Sequence, residues 1–181
     1  MDTKNRPTDL VHSAFFAALT AVLGLISIPI PMSPSPISAM SLGIMLTGSI
    51  LTVRQAAFSV ITLILMGAAG LPVFAGMSGG IGILLGPRGG YYFGFLIGVM
   101  LIAWLRGRQN RIWRLALANV TGGVMVVDLF GVVWLSFITD ISLGNALIAG
   151  VLPFLLGDLV KAFIATWIGA LVNRSLLRFK G

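Results

Sequence analysis

The chain has no cysteine and a single histidine, His12. Without thiols there can be no disulfide, zinc thiolate site or iron–sulfur cluster. One histidine leaves neither a metal-ligand set nor a Ser/His/Asp arrangement to assemble. Charge is scarce too: 9% of the 181 residues are charged and 57% are hydrophobic, against roughly 25% and 45–50% in a soluble domain. So few charges cannot cover a soluble surface, so apolar side chains must face lipid as well as a core. Nucleotide motifs are missing. Gly80-Ile81-Gly82 lacks the spacing and the βαβ setting of a dinucleotide fingerprint, and Gly86-Pro87-Arg88-Gly89-Gly90 lacks the Gly-Lys-Ser/Thr of a phosphate loop. The chain is expected to carry no ATPase and no enzymatic constellation.

What is present is a series of apolar runs, at 11–28, 37–53, 55–71, 91–105, 113–138 and 146–177. They predict an all-α membrane protein, a single domain over 1–181 built as a six-transmembrane-helix bundle. The first run continues without a convincing cleavage site, so it is expected to be a permanent helix. It ends at Pro29, Pro31, Pro34 and Pro36, which cannot continue a helix. Pro153 marks an expected break in the last run. Between the third and fourth runs lies a stretch with eight glycines from Gly70 to Gly90. Each interior glycine costs a helix ~1 kcal/mol relative to alanine, so this segment is expected to be a loop. Irregular backbone at membrane depth is tolerated where it is buried in protein or lines a cavity, which makes the loop a candidate ligand cap.

The net charge is +7, and the basic residues flank the apolar runs as topology signals do, not as a nucleic-acid face. With the N-terminus inside, Lys4, Arg6, Arg54, Arg106, Arg108, Arg111, Arg114, Arg174, Arg178 and Lys180 face the cytoplasm and Arg88 faces out. Both termini are therefore expected to be cytoplasmic and the Gly-rich loop extracellular.

Charges within membrane helices cost ~2.5–3.5 kcal/mol each on insertion scales. Three occur: Asp128, Asp158 and Lys161. Asp158 and Lys161 are three residues apart, on one helical face. They can form a structural ion pair or a recognition pair for a polar ligand. Asp128 can face a cavity or cap a break against Gly131. Arg88 can bind a ligand carboxylate or anchor the loop at the headgroups. Tyr91 and Tyr92 suit an aromatic belt or a ligand ring. In the first helix, Ala14 with Ala18 and Ala17 with Ala21 form small-xxx-small pairs, which suit internal packing or contact with another membrane subunit.

The run from Gly70-Leu71-Pro72-Val73-Phe74-Ala75-Gly76 through Ser78-Gly79-Gly80 and Leu85-Gly86-Pro87 to Gly89-Gly90-Tyr91 resembles the signature of the BioY family. That family comprises the biotin-specific S components of energy-coupling factor (ECF) transporters. Pro36-Ile37-Ser38-Ala39-Met40-Ser41-Leu42-Gly43 resembles its second block, and Asp158 with Lys161 its charged pair. The resemblance implies a biotin-binding subunit in a prokaryotic cell membrane, without a cofactor of its own. Its implied partners are a transmembrane coupling subunit, contacted through Ala14, Ala17, Ala18 and Ala21, and two ATPase subunits. It further implies that Asp158 accepts from the ureido N–H and that Lys161 donates to the ureido oxygen or the carboxylate. Phe74, Met77, Ser78, Gly79 and Gly80 would close over the ligand; Arg88 and Tyr91 join the candidate site on their own chemistry, not through the resemblance. Substrate would be released by toppling of the subunit within the membrane. An S component for another vitamin and a stand-alone facilitator are the alternative readings.

Overall fold

The computed structural model describes residues 6–31, 33–107 and 111–178. Lys4, Arg108 and Lys180 from the orientation count lie outside the described residues, as do the side chains of Arg6 and Arg178.

The protein is mostly helical, and its elements depart from the expected spans where proline and turn chemistry act. Helix α1 covers Arg6–Leu25 and stops short of residue 28. The prolines impose extended backbone on the residues before them. Ser27–Ile28 (β1) accordingly pairs antiparallel with Ile37–Ser38 (β2), Ser27 opposite Ser38 and Ile28 opposite Ile37. This pair takes up the start of the second expected span, so α2 is only Met40–Ile50. It rises roughly 16 Å, about half of a ~30 Å hydrocarbon core.

Helix α3 (Val53–Ala68) begins at a capping box. The Thr52 hydroxyl accepts from the Gln55 N–H, and the Gln55 side chain accepts from the Thr52 N–H. The Gly-rich stretch is irregular apart from one short helix, α4 (Ile81–Leu85). Helix α5 (Gly89–Leu105) follows. Then α6 (Ile112–Ala118), a π-helical segment (Asn119–Val126) and α7 (Val127–Thr139) run on without interruption. The break expected near Pro153 falls at Val151. Helix α8 (Leu143–Gly150) ends there, and α9 (Leu152–Arg178) carries Pro153 in its first turn, where a missing N–H is harmless.

Among the described residues, three helical stretches are long and apolar enough to cross a bilayer: Pro7–Leu25, Ile112–Thr139 and Leu152–Leu176. Met40–Ile50, Val53–Ala68 and Gly89–Leu105 are shorter apolar helices. Large apolar side chains cover the outside, Phe137 at 81% and Leu156 at 77% exposure. In water this would be an aggregation surface; against lipid it is the solvated face.

Polar side chains turn inward and pair. The Ser49 hydroxyl donates to Asn119 Oδ1 (3.1 Å), and Asn119 Nδ2 donates to Thr166 Oγ1 (3.0 Å). This ladder ties α2, the π segment and α9 together, and all three residues are buried. Asn119→Ala removes both bonds and strands the buried Ser49 hydroxyl, at ~1–3 kcal/mol, while Thr166 keeps its bond to the Ala162 carbonyl. A clearly lower thermal midpoint in detergent is the expected result, and an unchanged midpoint would deny the ladder its role. At the far end of α2, Arg106 donates to the carbonyls of Ile50 (3.2 Å) and Leu51 (2.9 Å), and Asn173 Nδ2 donates to that of Ser49 (2.9 Å). A cation thereby satisfies carbonyls that a helix end leaves open.

Candidate ligand-binding site

A cavity opens at the end of the bundle away from the start of α1 and the last turns of α9. Its walls come from the first turn of α2, the start of α5, the π segment with the start of α7, and α9. The Pro-rich and Gly-rich loops form its roof through Ser35, Pro36, Ala75 and Arg88. Its enclosed volume is about 80 Å³, within about 610 Å³ of empty space that includes the open mouth. Tyr91, Tyr92, Phe95 and Phe154 give it an aromatic interior. Arg88, Lys161, Asp128 and Asp158 are its charged groups, two of each sign.

The helical spacing of Asp158 and Lys161 does bring them together, with Lys161 Nζ 2.9 Å from Asp158 Oδ1 and both side chains largely buried. The pair is not isolated. Lys161 Nζ also donates to the Ser38 carbonyl (2.7 Å) and Ser41 Oγ (3.1 Å), and Ser41 Oγ donates to Asp158 Oδ1 (3.0 Å). All three ammonium donors are thus engaged. The implied donation from Lys161 to a ligand finds no free N–H, because β2 and α2 have taken them. Every hydrogen bond on Asp158 goes to Oδ1; among the described residues, Oδ2 accepts none. Asp158 Oδ2 is therefore an open acceptor at this site. Ser38 also builds the wall locally, its hydroxyl accepting from the Met40 N–H (3.1 Å) as α2 begins.

Tyr91 lies between α7 and α8 in a slot whose sides are Gly131 and Gly150. A Cβ on Gly131 would overlap its ring. Its hydroxyl donates to the Gly150 carbonyl (2.7 Å), so it lines the cavity and holds the α8 end instead of joining an interfacial belt. Arg88 donates from Nε to the Pro34 carbonyl (2.6 Å), joining the two roof loops. Asp128 faces the cavity, within electrostatic reach of Asp158 and Lys161.

The remaining loop residues singled out from the sequence do not line the cavity. The ring of Phe74 turns into the core, fully buried against Gly67 and 4.3 Å from the Tyr92 ring. Ser78 closes a tight turn with Phe74, N–H of Phe74 to O of Ser78 at 2.9 Å, and its hydroxyl donates to the Ala75 carbonyl (2.9 Å). Met77 sits at the tip of that turn, at φ 55° and 68% exposed. Gly79 packs on the Leu71 carbonyl, and Gly80, at φ +100°, donates its N–H to the Gly67 carbonyl (2.7 Å). These residues shape the loop, which offers Ala75 to the cavity, its N–H donating to Tyr92 Oη (3.3 Å). The helical pattern did not reveal Ser38 or Ser41, more than 110 residues from the pair they complete.

The alanines of α1 divide. Ala17 is buried at 3%, and Ala21 is half-buried, whereas Ala14 and Ala18 are exposed. Ala17 packs inside this chain.

The BioY family model matches residues 1–178. The chain belongs to the BioY family. The biotin transporter BioY of Rhizobium etli is 34% identical, over 91% of this chain and 92% of that protein. The biotin transporter BioY of Thermotoga maritima is also 34% identical, over 88% and 92%. Among solved structures, the S-component for biotin from an ECF-type ABC transporter superposes with a TM-score of 0.88 at 32% identity, covering 96% of this chain and 95% of that one. A BioY-family chain is a multi-pass membrane transport protein and not an enzyme.

Proposed function

We propose that this chain captures biotin at the outer face of a prokaryotic cell membrane, as the S component of an ECF-type ABC transporter. The observation that carries the reading is the cavity in which Asp158, its Oδ1 held by Lys161 and Ser41, leaves Oδ2 open as an acceptor. A ureido N–H is the donor it suits. Lys161 acts as a positioning residue, holding the carboxylate in place through Oδ1. The fused rings lie against Tyr91, Tyr92, Phe95 and Phe154. Arg88 spends Nε on Pro34, which leaves its other nitrogens to receive the ligand carboxylate at the cavity mouth. Biotin is cargo in this account, and no cofactor takes part.

The apolar helices support a six-crossing bundle in which α2 spans with help from the loops around it. Arg54, Arg106, Arg111, Arg114 and Arg174 stand at or near helix ends remote from the cavity, which supports cytoplasmic termini and an outward-facing cavity under the Gly-rich loop. ATP hydrolysis would come from two ATPase subunits through a coupling subunit. The exposed Ala14 and Ala18 offer that subunit a close approach.

Arg88→Gln tests the orientation of the ligand. Biotin should bind about tenfold more weakly, ~1.4 kcal/mol, while biotin methyl ester, which has no carboxylate, should bind the variant and the parent chain alike. An equal loss for both ligands in calorimetry would mean that Arg88 serves only the loops.

A further inference from the structure

A second, larger hollow lies at the opposite end of the bundle, between the first half of α1, the α2–α3 corner, the start of α6 and the last turns of α9. It is a groove with about 2040 Å³ of empty space, counting its open side. Phe15, Phe16, Leu19, Leu115, Ile168 and Val172 make its wall apolar. Among the described residues its charged groups are Arg106 and Arg111, and no acidic side chain lines it. Asp9, the one acidic residue of α1, is occupied instead by the Gln55 side-chain amide at 2.6 Å.

Arg106 is the telling residue. Among the described residues its guanidinium meets only neutral acceptors, the carbonyls of Ile50 and Leu51 and the Asn173 amide (3.4 Å). Its Nε is buried and, among the described residues, has no acceptor. A cation drawn into a membrane protein without a counter-charge is costly, and an unpaired buried donor adds to that cost. An apolar channel beside such a cation matches a molecule with an acyl chain and an anionic head. Basic pockets between membrane helices recognise lipid headgroups in this way.

We propose that this groove binds one anionic diacyl phospholipid, its phosphate between Arg106 and Arg111 and one acyl chain along Leu115, Ile168 and Val172. The site is separate from the ligand cavity. It rests on the membrane setting of the chain, not on the identity of the transported vitamin.

Native mass spectrometry of the detergent-purified full chain tests this, with phosphatidylglycerol, phosphatidylcholine of the same chains, and glycerol 3-phosphate as probes. One phosphatidylglycerol per chain should be retained about tenfold more tightly than phosphatidylcholine, and glycerol 3-phosphate should not compete. Arg106 also holds the end of α2, so the variants are Arg111→Gln, which should erase the preference, and Val172→Trp, which should weaken both lipids. Retained binding of the transported ligand shows that each variant is folded. Equal retention of the two phospholipids would overturn the proposal. So would full phosphatidylglycerol binding in both variants, glycerol 3-phosphate binding as tightly as the lipid, or a lipid-free pair of chains.

Discussion

Asp158→Ala is expected to weaken biotin binding about a hundredfold, ~2.7 kcal/mol. Two losses combine. The variant has no acceptor for the ureido N–H, a charge-assisted bond of about 1.5–3 kcal/mol. It also strands the Lys161 ammonium against Ser38 and Ser41 without its counter-charge. Removing one partner of a buried pair destabilises by roughly 3–5 kcal/mol, whereas removing both is often close to neutral. The thermal midpoint should therefore fall in Asp158→Ala and recover in the double variant Asp158→Ala/Lys161→Met, while biotin affinity recovers in neither. Lys161→Met alone should lower affinity by disordering Asp158, although the ammonium itself has no donor to spare. Calorimetric titration with a parallel melting curve separates these outcomes. Parent-like affinity in Asp158→Ala would remove Asp158 from the site.

The second large effect is expected at Phe74, which is not in the cavity. Its ring is fully buried between Gly67 and Tyr92. Phe74→Ala should cost ~3–5 kcal/mol through the space it empties. The same residue closes the turn to Ser78 and precedes Ala75, whose N–H donates to Tyr92 Oη. Unseating the ring should therefore loosen the roof, so that the melting temperature and biotin affinity fall together. Three residues on, the 68% exposed Met77 gives the contrast. Met77→Ala should stay within about 0.5 kcal/mol, as surface substitutions do, with affinity unchanged. If Phe74→Ala and Met77→Ala bound biotin alike, the loop would not depend on its buried ring.

The contrast between Phe74 and Met77 also marks where sequence reasoning stops. Asp158 and Lys161 can be paired from the sequence because α9 is a regular helix and three residues bring side chains to one face. An irregular loop has no such period. Phe74, Met77, Ser78, Gly79 and Gly80 form a recognisable motif, but which of them faces a ligand depends on what each meets across the chain. Phe74 meets Gly67, and Met77 meets nothing that buries it. The same limit hides Ser38 and Ser41, whose roles arise only when α2 packs on α9. Helix α1 stops at Leu25, short of the expected end at residue 28, and hydropathy cannot tell an apolar strand from an apolar helix, so the expected spans 11–28 and 37–53 take in Ser27–Ile28 and Ile37–Ser38. The π segment at Asn119–Val126 has no propensity signal of its own. Its Asn119 is held by Ser49 and Thr166 from helices distant in sequence.

We propose that the cavity beside Asp158 and Lys161 is built for biotin. Isothermal titration of the purified chain, without coupling or ATPase subunits, against biotin and a panel of other vitamins tests it most directly. The account predicts one-to-one, saturable binding of biotin alone, lost in Asp158→Ala. No heat with biotin, or saturable binding of a vitamin that has no ureido group, would contradict it.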